Sequence, residues 1–218
     1  SYTVYNLIIP CLPYDIKTRL ATTDFINQTL EKIDKLGKTT ANKSREVFNL
    51  VFQDVVHDGI LTVNPVESAK IYKRGKPNIK LLSKTEIKTF LASTCNSESW
   101  YLEILLALFC GLRKGEIMGL KFQDFDKDKN IIRIRRQLVN DPILASNPDS
   151  VNVQVEKYVL TEKPPKKNSY RNIRVPKIIA EKIENRQLEY QTRKSTSTNF
   201  EEFDYVSFNR DTGKPQLP

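Results

Sequence analysis

The sequence predicts an α+β protein in which a small all-helical part, a short basic linker and a mixed α/β part follow one another. Three observations carry this. Residues 1–72 place apolar side chains at helical spacing. Residues 73–82, KRGKPNIKLL, are basic, contain Gly75 and Pro77, and lack any period. Residues 83–218 combine helical stretches with Ile131–Leu138, where Ile and Arg alternate with the period of two that marks a strand. At 218 residues the chain is long enough for two modest domains, and these breaks place them at 1–72 and 83–218.

The elements follow in order. Tyr2–Ile9 is a short apolar segment stopped by Pro10 and Pro13. Thr22-Thr23-Asp24 offers an N-cap, and Phe25, Ile26, Leu30 and Ile33 then recur at helical spacing until Lys35–Gly37. Thr39-Thr40 opens a second helix with Val47, Leu50, Val51 and Val55 as its inward stripe, closed by His57-Asp58-Gly59. Asn64-Pro65 marks a turn. Ser83 and Glu86 form a capping-box pair for a helix over 84–93. An apolar helix over 97–110 ends at Gly111, and a short helix covers 114–120. Asp124–Asn130 reads as a solvated polar turn. Three strands are expected, Ile131–Leu138 with one basic face, Val151–Thr161 and Arg171–Val175, forming a three-stranded antiparallel sheet. Lys163–Tyr170 would join the last two as a hairpin loop. Ile178–Lys194 is a helix with Ile179, Ile183 and Leu188 inward, and Tyr205–Phe208 a short apolar patch.

Composition excludes several chemistries. Thirty-five Lys and Arg against 26 Asp and Glu leave a net charge of +9, which favours an anionic partner, nucleic acid before a membrane surface. The longest apolar run, Ile104–Cys110, is far short of a membrane span. Three scattered cysteines (Cys11, Cys95, Cys110) and a single histidine, His57, argue against a disulfide framework, a zinc finger or a Ser-His-Asp triad. Free thiols fit a cytoplasmic protein. No nucleotide-binding or zinc-protease motif is present, and Asp124, Asp126 and Asp128 lack the calcium-loop spacing, so no metal or cofactor is expected. The N-terminus lacks a signal peptide's basic region and cleavage site.

Two features remain. Between Lys157 and Lys177 lie seven basic residues (Lys157, Lys163, Lys166, Lys167, Arg171, Arg174, Lys177) and one acid, Glu162, which suits a hairpin that meets phosphates. The sharper feature is Ala107–Ile117, where an apolar helix breaks at Gly111 and delivers Arg113 at the broken end. Glu116, three residues on, can hold that guanidinium, whose fork suits a phosphate; an ordinary Arg–Glu ion pair between helices is the plainer alternative.

The segment Gly111-Leu112-Arg113-Lys114-Gly115-Glu116-Ile117-Met118-Gly119-Leu120 resembles the first catalytic box of the tyrosine site-specific recombinases, the phage and transposon integrases. Pro164–Pro176 is similar to that family's lysine-bearing hairpin, and residues 1–72 resemble its helical core-binding domain, ending near the usual Asn-Pro. The resemblance implies a core-binding domain over 1–72, a linker over 73–82, and over 83–218 the N-terminal part of a mixed α/β catalytic domain. It also implies site-specific recombination of double-stranded DNA at attachment or core sites through a 3′-phosphotyrosine, together with other recombinase protomers and without cofactor. Arg113 matches the first catalytic arginine and Glu116 its acidic support. Lys166 fits the hairpin lysine, with Lys163 and Lys167 as alternatives in another register. DNA contacts are expected from Lys157, Lys163, Lys167, Arg171 and Arg174, from Arg133 and Arg135 on the basic strand, and from Lys73 and Arg74 in the linker. The family's second box and its nucleophilic tyrosine find no match before Pro218, so the resemblance implies a chain that ends before them and does not cleave DNA. A DNA-binding module or regulator derived from an integrase is the alternative reading.

Overall fold

The structure is a computed structural model that describes residues 11, 17–73, 75, 79–95, 100–144 and 155–217. Its backbone groups into two compact units, residues 1–80 with 144–156 and residues 81–143 with 157–218. The expected segment 2–9, the linker residue Arg74, and the first residues of the 97–110 helix and of the 151–161 strand lie outside the described residues.

In the first unit α1 spans Thr23–Asp34 and α2 spans Lys38–His57. Thr22 caps α1 by accepting from the Phe25 amide at 3.2 Å. Ile26, Leu30 and Ile33 are buried on one face, as their spacing predicts. On α2 the inward stripe is only partly the expected one, for Val47 and Val55 pack against the core but the fully buried positions differ. Ala41, Ser44, Phe48 and Phe52 are buried, whereas Leu50 and Val51 are 63% and 52% exposed. Two phenylalanines four residues apart bury more apolar area than the valines and leucine of the rival stripe, so they set the helix rotation. The segment after α2 is pinned to it by polar contacts. Asn64 donates to the Asn49 carbonyl at 3.3 Å and to its side-chain oxygen at 3.0 Å, Arg45 donates to the Val66 and Ala69 carbonyls, and Asn42 exchanges two bonds with the Tyr72 backbone.

The second unit opens with α3 (Lys84–Thr94), started by the Ser83–Glu86 capping box that the sequence predicts. There follow α4 (Tyr101–Cys110), α5 (Lys114–Met118), β1 (Phe125–Asp126), β2 (Ile131–Ile134), β3 (Gln137–Leu144), β4 (Val155–Lys163), β5 (Arg171–Arg174) and α6 (Lys177–Thr196). A three-stranded antiparallel sheet exists, but its strands run β1-β2-β5, and β3-β4 form a separate pair. The expected strand 131–138 is broken at Arg135-Arg136. The expected hairpin is not one either, because β4 pairs with β3 while β5 pairs with β2, Ile132 facing Ile173. Arg136 accounts for the break. Its guanidinium turns back to the Asp124 carboxylate and to Glu162, so the chain leaves the sheet after Ile134.

That pairing also corrects part of the reading of Asp124–Asn130 as solvated: residues 127–130 do turn, with 127–129 exposed, but the two aspartates before them do not face water. Asp124 is 5% exposed and accepts from the Lys121 amide at 3.0 Å, and Asp126 binds Arg133 at 2.5 Å. The core gathers Leu102, Leu105 and Leu106 of α4, Ile132 and Ile134 of β2, Ile179 and Ile183 of α6, and Tyr205, Val206 and Phe208. Leu188 faces solvent instead (67% exposed), because nine residues at about 100° each set it opposite Ile179. Tyr190 takes the inward place, with its ring against those of Phe122, Phe200 and Phe208. Among the described residues no helix is long and apolar enough to cross a membrane.

Candidate active site

The site begins where α4 ends. Gly111 adopts φ 61°, the left-handed conformation that glycine reaches without a Cβ clash, and so terminates the helix. Leu112 is buried and anchors the turn, and Arg113, extended, caps the start of α5. A Cβ on Gly115 would stand 2.8 Å from the Leu138 carbonyl, so this glycine lets α5 lie directly on the start of β3.

Glu116 is the centre of the arrangement. Its side chain is fully buried, yet it is ionised: burial pushes its pKa up, but hydrogen bonds from Arg171 and Arg113 overcome this and hold it at about 2. Arg113 donates to it from Nη1 at 2.8 Å and from the backbone amide at 2.9 Å. Arg171 donates from both terminal nitrogens at 2.9 and 2.7 Å. The Arg113 side chain remains 53% exposed, and its Nη1 also donates to the Ser169 hydroxyl at 3.1 Å. Ser169 directly follows the tight turn Lys166–Asn168.

The structure thus brings Arg113, Glu116, Arg171 and the lysine turn together. Lys166 and Lys167 are exposed and form no ion pair among the described residues. Lys163 differs, for it is bound to Asp141 at 2.5 Å, and with Thr161 it holds that carboxyl below its usual range. Lys157, Arg135 and Arg174 are exposed, as is Lys73 in the first unit. Arg133 is occupied by Asp126, so the basic strand face presents Arg135 alone of the pair. Ser169 and Gln137 are the contributors that spacing missed; Gln137 Nε2 donates to the Pro164 carbonyl at 2.9 Å and so braces the other flank of the turn. Neither side chain carries a charge; Ser169 lies within the Pro164–Pro176 resemblance, whereas Gln137 lies in no motif.

Two tyrosines of this unit, Tyr205 and Tyr190, are buried and committed elsewhere. The Tyr205 hydroxyl donates to Glu162, and burial together with that bond pushes its pKa well up. Tyr190 accepts from the Phe203 and Asp204 amides. A half-exposed guanidinium fixed by a buried anion, beside two unpaired ammonium groups, is suited to gripping a tetrahedral oxyanion such as a phosphodiester. Among the described residues no group of three or more His, Cys, Asp or Glu side chains could hold a metal ion.

The fold and the sequence are similar to those of integrases and tyrosine recombinases. The fold matches the Tn1549 transposon integrase in complex with transposon right end DNA at a TM-score of 0.68 and 16% identity, over 93% of this chain and 62% of that one. It matches a lambda integrase dimer bound to a COC′ core site at a TM-score of 0.63 and 16% identity, over 99% of this chain and 52% of that one. In sequence the chain is 30% identical over 173 residues to the tyrosine recombinase XerC-like protein of Caldanaerobacter subterraneus, covering 75% of this chain and 42% of the relative. It is 31% identical over 80 residues to the prophage integrase IntR of Escherichia coli K12, covering 37% and 19%. No family model matches. In sequence the chain is similar to tyrosine recombinases, and it shares the fold of solved integrases. It spans about two fifths of the length of the XerC-like relative.

Proposed function

We propose that this chain binds double-stranded DNA and supplies part of the phosphate-activating site of a cytoplasmic tyrosine recombinase, working with other protomers at attachment or core sites. The observation that carries this is Arg113: half exposed, locked at the start of α5 by buried Glu116, and in contact with the turn that bears Lys166 and Lys167. In this reading Arg113 donates to the non-bridging oxygens of the scissile phosphate, where negative charge grows as a tyrosine hydroxyl attacks phosphorus. The bond to the 5′-oxygen breaks, and Lys166 delivers the proton that this poor leaving group needs. The tyrosine becomes the 3′-phosphotyrosine, which preserves the phosphodiester's energy for rejoining without metal or cofactor. Lys167 is the neighbour that takes Lys166's part if the turn is shifted by one. Lys157, Arg135, Arg174, Lys73 and Arg74 contact the DNA backbone, while Lys163 is held by Asp141. Tyr190 and Tyr205, buried and bonded, do not provide the nucleophile.

Duplex binding by fluorescence anisotropy across rising salt tests this. With about six phosphate contacts, log Kd changes against log salt with a slope of magnitude about 5. Changing Arg113 to Ala lowers that magnitude by about one and leaves the rest of the binding in place. Weak binding at low salt that ignores added salt sinks the reading.

A further inference from the structure

Two arginines share Glu116, and they are placed differently. Arg113 meets it with one terminal nitrogen and a backbone amide, leaving the rest of its guanidinium to solvent. Arg171 spends both terminal nitrogens on it, one to each carboxylate oxygen. Arg171 Nη1 also donates to the Ser169 carbonyl at 3.3 Å, while the Ser169 hydroxyl receives Arg113. Residues 169–171 therefore touch the Arg113–Glu116 pair from both ends. The turn before them holds Lys167 and Asn168 at φ 59° and 52°, a conformation that non-glycine residues adopt when their surroundings impose it.

We propose that Arg171 is a positioning residue: by sharing the buried Glu116 carboxylate with Arg113 it locks the lysine-bearing turn and the exposed guanidinium into one unit, and it does not itself contact a nucleic acid backbone. This departs from the expectation that Arg171 meets DNA. The physical reason is the cost of a buried carboxylate with unfilled acceptor positions. Take away Arg171 and two of four hydrogen bonds vanish. Arg113 then turns both terminal nitrogens onto Glu116 to replace them, and the surface it offers an anion shrinks. The lysine turn loses its tether in the same step. An arginine is needed because only a planar fork spans both oxygens.

The consequence for DNA rests on the reading of Arg113 as a phosphate ligand; the linkage of Arg171 to Arg113 does not. Two measurements on the whole chain separate them. In nitrogen-15 spectra of the guanidinium groups, Arg171→Met shifts the Arg113 Nε–H signal, Arg171→Lys moves it part of the way back, and the Arg174 signal stays fixed. An unmoved Arg113 signal overturns the proposal, even if the variant melts at a lower temperature. In duplex binding, Arg171→Met weakens affinity about tenfold in the unaltered chain but less than about twofold in an Arg113→Ala background, with no further change in salt slope. Additive losses, with the slope reduced by about one more unit, make Arg171 a phosphate contact and overturn it. If the unaltered chain binds no duplex, the functional reading fails and the spectra alone decide the linkage. If Arg171→Met does not fold, Arg171→Lys carries both comparisons.

Discussion

At Glu116 burial and charge pull in opposite directions, and the hydrogen bonds win. Its pKa lies at about 2 in the fold, below the usual 4.5, so its contribution to stability is complete above about pH 4.5 and is lost as pH falls toward 2. The full contribution is about 3 kcal/mol at neutral pH, of which about 2 kcal/mol is gone by pH 3. Glu116→Gln is therefore expected to unfold at lower urea than the unaltered chain at pH 6, with the gap narrowing at pH 3. A gap that stays constant between the two pH values would mean that Glu116 is not the titrating partner. The same residue explains how an arginine can be both fixed and available. A surface ion pair would hold Arg113 weakly, whereas a buried acceptor holds it in one place.

Short elements meet at close range around α5, and glycine makes this feasible. The Gly115 Cα faces the Leu138 carbonyl so closely that a methyl group would have to push β3 away. Gly115→Ala is expected to cost about 2 kcal/mol, read as a fall in the midpoint of urea unfolding, because the obstructing atom is backbone and cannot swing aside. No change in the midpoint would show that β3 moves freely relative to α5. The elements also show where local pattern stops being informative. Alternation in 131–138 announces extended chain, but extended chain continues through β2 and β3 while the sheet does not. The break depends on Arg136 finding Asp124, twelve residues earlier, and Glu162, much later in the chain.

Across the second unit a buried polar link joins three distant pieces of sequence. Arg186 of α6 donates to Glu103 of α4 at 3.0 Å and to the Val206 carbonyl, and the Ser207 hydroxyl donates to Glu103 at 2.8 Å. Glu103 and Arg186 are 5% and 6% exposed. Arg186→Met should destabilise by about 3–5 kcal/mol, since it strands a buried charge, while the double change Glu103→Leu with Arg186→Met recovers most of that loss. Equal stability of the single and double variants in thermal melts would show that the charge of Glu103 is not what the loss reflects. Most of this molecule's outline was legible from local signals: the capped starts at Thr22 and Ser83, the glycine stop at Gly111, the apolar face of α1, the apolar run of α4, and the Arg113–Glu116 spacing. Those signals are written within one or two helical turns, where capping and periodicity act. The misplaced stripe of α2, the exposed Leu188 and the occupied Arg133 and Lys163 were not legible, because each depends on which surface or carboxylate a distant segment brings near.

Sequence alone was enough to say that an arginine stands at a helix start with an acid three residues away, because both sit on one short stretch of backbone. It also carried the resemblance to the tyrosine recombinases, since that stretch and the basic segment after it occur in the family's order. Folding settled which cations are spent and which are left exposed. Asp126 takes Arg133, Asp141 takes Lys163 and Glu116 takes Arg171, while Lys166, Lys167 and Arg174 stay unpaired among the described residues. Opposite charges far apart along the chain attract only once packing has brought them within a few ångströms, and no spacing rule written along one strand or helix can anticipate that meeting.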